Sequence, residues 1–174
     1  QQQAAHQIAI SLAAIAFMVS LGISAAGSIR VAYAYGKKDW PWARTIGSTT
    51  LAMAVVYGIV CALFFIAGRY QLPLIFNDEP TVLQYSALLL FFVAAFQISD
   101  SVQAVGVGLL RGLQDVRIPT LYVGIAYWII GIPAGYLLAF HFNWNISGIW
   151  TGLVLSLSGS AGLLSWRFFR LTQR

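Results

Sequence analysis

The sequence predicts an all-α integral membrane protein, one bundle of five transmembrane helices over residues 1–174, on three observations. Hydrophobic residues make up 59% of the chain and charged residues 9%, against roughly 25% charged in a soluble domain. The apolar residues fall into five blocks, each able to supply the ~20 helical residues that cross about 30 Å of hydrocarbon. The connections between blocks are short and polar, and no length remains for a separate soluble domain.

The first block, Ala4–Ile29, contains no Lys, Arg, Asp or Glu and stops at Arg30, ahead of Tyr35-Gly36-Lys37-Lys38-Asp39. Trp40 and Trp42 then suit the headgroup level, and Pro41 between them suits a first helical turn. The second block is Ile46–Ala67. The stretch from Arg69 to Pro80 carries Pro73, Asn77, Asp78 and Glu79 and reads as a surface loop, with Thr81 placed to cap the next helix. The third block, Val82–Leu110, is long enough to tilt. Gly112 is placed to end it and Pro119 to begin the fourth, Thr120–Phe140, which Gly131, Pro133 and Gly135 interrupt. The fifth is Ile146–Trp166.

Orientation follows from Lys and Arg, which accumulate in cytoplasmic loops. Arg30, Lys37, Lys38, Arg44, Arg111, Arg117, Arg167, Arg170 and Arg174 fall on one side and Arg69 alone on the other. This bias predicts a cytoplasmic C-terminus and, with five crossings, Gln1 outside. An N-terminus delivered outside with no preceding span is awkward to insert, so a further helix upstream is expected. The basic residues are scattered between apolar blocks rather than gathered on one face, which argues against a nucleic-acid partner despite a formal charge of +5. The expected surroundings are a lipid bilayer.

Asp100 is the one acid within the blocks. A carboxylate in hydrocarbon costs from ~2.5 kcal/mol upward, so such residues face a bundle interior and serve ions, protons or substrates, or else hold helices together as hydrogen-bonded acids. Gln97 and Gln103 lie three residues to either side, and Ser101 and Ala104 extend the same polar-to-small face. Asp100 is therefore the candidate coupling residue, with Gln97, Ser101 and Gln103 in support. A proton or a bound Na+ could occupy it, and the residues alone do not choose.

Pro133 removes a backbone hydrogen bond inside the fourth block and is a candidate hinge. Gly108/Gly112, Gly131/Gly135 and Gly148/Gly152 have the small-xxx-small spacing of closely packed membrane helices. His6, near the outer end of the first block, is expected to be solvated or interfacial rather than a proton relay, and His141 to lie in a loop. Cys61 is the single cysteine, which excludes an intrachain disulfide, and there is no Cys/His metal spacing. Gly-x-Ser-x-Gly, His-Glu-x-x-His and the phosphate-binding Gly-x-x-x-x-Gly-Lys are all absent, so neither an enzyme nor a cofactor is expected.

Several segments, in order along the chain, resemble the multidrug and toxic compound extrusion (MATE) family. They are Ala4-Ala5-His6-Gln7-Ile8-Ala9, Ser28-Ile29-Arg30-Val31 with Tyr35-Gly36, Gln97-Ile98-Ser99-Asp100-Ser101-Val102-Gln103, Leu110-Arg111-Gly112-Leu113-Gln114-Asp115 with Pro119, and Trp128-Ile129-Ile130-Gly131-Ile132-Pro133. The resemblance implies a twelve-helix exporter of organic cations and other xenobiotics in the bacterial inner membrane, driven by antiport of H+ or Na+. This chain would be helices eight to twelve, the C-terminal six-helix lobe without its first helix. The N-terminal lobe and the preceding helix, or another copy, would complete it. Asp100 then matches the family's cation-binding aspartate, whereas Phe96 stands where sodium-coupled members carry a tyrosine. A lipid-linked oligosaccharide flippase of the same superfamily is the second expectation, with more cationic residues lining its cavity. A non-transporting subunit or inactive fragment is the third.

Overall fold

A computed structural model describes residues 2–76, 79–142 and 144–173; Gln1, Asn77, Asp78, Asn143 and Arg174 lie outside the described residues. Five helices are long and apolar enough to cross a membrane: α1 (Gln2–Gly36), α2 (Trp40–Gly68), α3 (Pro80–Gly112), α4 (Arg117–His141) and α5 (Asn145–Leu171). There is no strand among the described residues. A single 3-10 turn, Leu72–Ile75, lies between α2 and α3.

Each helix contains its predicted block and extends past it. α1 runs through Arg30 to Gly36 because charged side chains at the headgroup level leave the backbone ladder intact. α2 begins at Trp40, where the Asp39 carboxylate accepts from the Trp42 N–H at 3.0 Å and Pro41 sits in the first turn. α3 begins at Pro80, so Thr81 lies inside its first turn and does not cap it. α3 does end at Gly112, for a reason other than glycine's freedom to reverse the chain. A Cβ there would meet the Ser28 carbonyl oxygen at 2.6 Å, while the left-handed residue of the turn is Gln114, at φ 62°.

The α1–α2 and α3–α4 turns share one design. Lys38 and Gln114 adopt positive φ, and the next N–H reaches back five residues, Asp39 to Ala34 and Asp115 to Leu110, at 3.0 and 2.9 Å. This is the Schellman closure of a helix end.

α3 is the axis of the bundle, packed against α1, α2 and α5, whereas α4 rests chiefly on α5. Glycines set these distances. A Cβ at Gly58 would lie 2.7 Å from the Ile98 Cα, and one at Gly152 would lie 2.7 Å from both the Gly131 oxygen and the Gly135 Cα. The core has two apolar halves, one around Leu90, Val93 and Trp150 and one around Leu109, Leu164 and Phe168. Between them runs a polar seam in which Ser20 and Ser101 share a 2.9 Å hydrogen bond and Ser24 donates to the Ala104 carbonyl at 2.7 Å. Most outward-facing positions carry large apolar side chains, among them Ile29, Phe64 and Trp128, as lipid contact requires.

Eight of the described basic residues, from Arg30 to Arg170, lie at one end of the bundle and Arg69 at the other. The regular winding of α4 gives way to π-helical stretches at Ala126–Gly131 and Leu137–His141, on either side of the α-helical turn Ile132–Tyr136 that holds Pro133. The irregularity lies in those flanking stretches, and Pro133 itself faces outward.

Candidate functional site

Because α4 leans on α5, a cavity of about 260 Å³ opens between α1, α3 and α4. Phe17, Leu21 and Ser24 line it from α1, Tyr127 from α4, and Asp100, Gln103, Ala104, Val107, Gly108 and Arg111 from α3. The α3 residues recur at three- and four-residue steps, so one helical stripe forms the wall. Leu21, Ser24, Gly108 and Arg111 also border a second cavity with Ala25, Ser28 and Ile29. Asp100 is thus joined by a continuous groove to Arg111 near the basic end, about 16 Å away along the helix at 1.5 Å per residue.

Asp100 is half-buried and has no ion pair among the described residues. Arg111 lines the same cavity from its far end without pairing with it. The oxygen-bearing side chains that line the cavity are Asp100, Gln103, Tyr127 and Ser24, the last with its hydroxyl donated to the Ala104 carbonyl. Such a set accepts a proton at the carboxyl or a hard cation among the oxygens. No group of three or more His, Cys, Asp or Glu gathers anywhere among the described residues.

The structure divides the supporting face expected from the sequence. Gln103 shares the cavity with Asp100. Ser101, about 100° further round the helix, is fully buried against Ser20 of α1. Gln97 does not line the cavity; it is fully buried, and neither its oxygen nor its nitrogen has a hydrogen-bond partner among the described residues. Phe96 stacks on Trp150, with centroids 5.7 Å apart, and is not part of the cavity wall. His6 is half-buried with its ring edge-on to Trp150 at 5.6 Å, so it packs inside the bundle; His141, expected in a loop, is exposed but is the last residue of α4.

Three polar residues of the cavity wall, Ser24, Arg111 and Tyr127, are not among the site candidates that the sequence offers. Arg111 was read only as a turn charge. Tyr127 was hidden among aromatics, although its spacing of four and eight residues from Gly131 and Gly135 places it on the inward face of α4.

The MatE family model matches residues 2–137. The chain is 40% identical over 174 residues to the probable multidrug resistance protein NorM of Rhodopseudomonas palustris, covering 98% of this chain and 37% of that protein. It is 41% identical over 170 residues to the multidrug resistance protein NorM of Burkholderia vietnamiensis, with 95% and 37% covered. A third relative is the multidrug resistance protein MdtK of Proteus mirabilis, 37% identical, again with 95% and 37% covered. Among solved structures, the eukaryotic MATE transporter AtDTX14 superimposes with a TM-score of 0.90 at 24% identity, over 97% of this chain and 38% of that one. The chain thus spans under two-fifths of the length of these relatives. With its fold, its motifs and the family model in agreement, the chain belongs to the MatE family.

Proposed function

We propose that this chain is part of a secondary active exporter that drives organic cations out of the cell by antiport of H+ or Na+. The observation that carries the reading is a mid-span carboxyl, Asp100, that lines a cavity and lacks an ion pair among the described residues, in a chain whose relatives are named multidrug resistance proteins. An unneutralised carboxylate among apolar helices is costly, so occupancy by an ion changes the relative stability of alternative packings. That difference is what an alternating-access cycle needs. Exchange of the ion for a substrate cation then moves the substrate across.

The basic end is the cytoplasmic end by the positive-inside rule, which puts the C-terminus inside, in a bacterial inner membrane. The five helices correspond to helices eight to twelve of a twelve-helix transporter, with the rest of the pathway supplied by an N-terminal lobe and a preceding helix or by another copy. The flippase reading is not favoured, since Arg111 is the one basic residue lining the Asp100 cavity. The test is ethidium export from proteoliposomes holding the protein as its own gene expresses it, under an imposed proton or sodium gradient. Export under one gradient and not the other names the coupling ion; export under neither sinks the antiport reading.

A further inference from the structure

We infer that Tyr127 is a positioning residue for Asp100, its hydroxyl fixing the Gln103 carboxamide beside the carboxyl from a π-wound stretch of α4. This rests on the antiport reading above and adds a residue to it.

Tyr127 is the partition between two spaces. It lines the polar cavity with Asp100 and Gln103, and it also lines an apolar cavity of about 260 Å³ with Gly131, Gly135 and Ile149. Gln103 offers its amide N–H to the Tyr127 hydroxyl oxygen, and both residues line the cavity that Asp100 lines. The Gln103 oxygen is buried and has no hydrogen-bond partner among the described residues. A buried amide oxygen left unmatched costs on the order of 1–3 kcal/mol, so a nearby donor or ion has a strong pull on it. With the Gln103 nitrogen turned to the phenol oxygen, the Gln103 oxygen is left for an ion bound at the carboxyl.

The depth of Tyr127 in the bundle is set one turn away. A Cβ at Gly152 would fall 2.7 Å from the Gly131 oxygen and the Gly135 Cα, and one at Gly148 would fall on the Ala139 nitrogen, so these two α5 glycines let α4 lie directly on the α5 backbone. The hydroxyl is then aimed by the winding of Ala126–Gly131. Removing one residue's worth of π winding would rotate that stretch by about 100° relative to the α-helix beyond it and carry the hydroxyl off the cavity. The titratable and charged groups facing Asp100 are Arg111 from its own helix and Tyr127 from α4; α1 contributes Phe17, Leu21 and Ser24, which do not titrate.

The experiment is ethidium export by the reconstituted protein, measured as a function of the driving-ion concentration, with Tyr127→Phe, Gln103→Leu and the double variant beside the parent. Tyr127→Phe keeps the ring in both cavity walls and removes only the hydroxyl. Its half-saturating ion concentration should rise about fivefold, the worth of one hydrogen bond, with the maximal rate within about twofold of the parent. Gln103→Leu should show a similar rise, and the double variant no more than either alone. An unchanged half-saturation with a lowered maximal rate would make Tyr127 a packing residue and overturn the inference, as would two fully multiplicative effects. A parent protein that exports under neither ion gradient overturns the antiport reading instead, and this inference with it.

Discussion

Arg167 donates its Nε–H to the Asp115 carboxylate, tying the end of α5 to the turn between α3 and α4. Both side chains are largely shielded, 22% and 16% exposed, and the guanidinium stands 6.0 Å from the centre of the Tyr122 ring. The end of α5 and the α3–α4 turn, which also meet through the apolar cluster of Leu113 and Phe168, are thereby joined at the basic end of the bundle. An exposed pair contributes up to about 1 kcal/mol, and stranding one partner of a fully buried pair costs 3–5 kcal/mol. Asp115→Ala should therefore lower unfolding stability by about 1–2 kcal/mol. Thermal unfolding in detergent, run as a double-mutant cycle with Arg167→Gln, measures it; additive losses would show that the pair is not coupled.

The seam between α1 and α3 depends on the absence of a side chain at Gly108. A Cβ there would fall on the Ser24 hydroxyl and 2.8 Å from the Ser24 carbonyl oxygen. Gly108→Ala should cost about 1–3 kcal/mol, as overpacking does. Gly22→Ala, where no atom lies within 4 Å of the added carbon, should be neutral or stabilising by up to about 1 kcal/mol from helix propensity. Unfolding midpoints of the two variants, compared directly, decide between a packing and a propensity role for these glycines.

Lys38 and Gln114 hold left-handed conformations that a side chain resists by roughly 1–2 kcal/mol. Gln114→Gly and Lys38→Gly should each stabilise the bundle by about 0.5–1 kcal/mol after the entropy of the more flexible unfolded chain is counted. Loss of stability in both variants would mean that these side chains contribute contacts outweighing the relief of strain.

Topology is checked by cysteine labelling in a Cys61→Ala background. Gln71→Cys, exposed at the end opposite the basic cluster, should react with a membrane-impermeant maleimide on intact cells. Lys38→Cys, exposed at the basic end, should react only after permeabilisation. The reverse pattern would invert the assigned orientation.

The helices were legible because a membrane leaves the backbone few choices. Twenty apolar residues with no charge read as a span, and the Trp40-Pro41-Trp42 start of α2 appeared where the residues placed it. The limits of the spans were less legible: Arg30 ends an apolar run without ending a helix. Thr81 illustrates the same difficulty at a start, since Pro80 rather than the hydroxyl residue opens α3. Gly112 was placed correctly for the wrong reason, because a glycine required by a neighbouring helix looks the same in sequence as one required by a turn.

At the candidate site, Asp100 was identifiable from its charge alone. The partition of its neighbours was not, because which side of α3 meets α1 and which meets the cavity depends on how far α4 stands away. Gln103 and Ser101 therefore separate, although they are two residues apart on what the sequence presented as one face. Tyr127 stands four and eight residues before Gly131 and Gly135, a spacing that becomes informative only once the α5 backbone is seen packed on those glycines. The residues that complete a site built across helices carry no local signature.

The central claim is that Asp100 couples an ion to export. It is tested most directly by ethidium export from proteoliposomes of the parent protein and of Asp100→Asn, under whichever ion gradient drives the parent. The amide preserves the size and hydrogen-bonding capacity of the side chain and removes its charge. Asp100→Asn should insert and unfold like the parent but export no dye in response to the gradient. Gradient-driven export at the parent's rate would contradict that coupling.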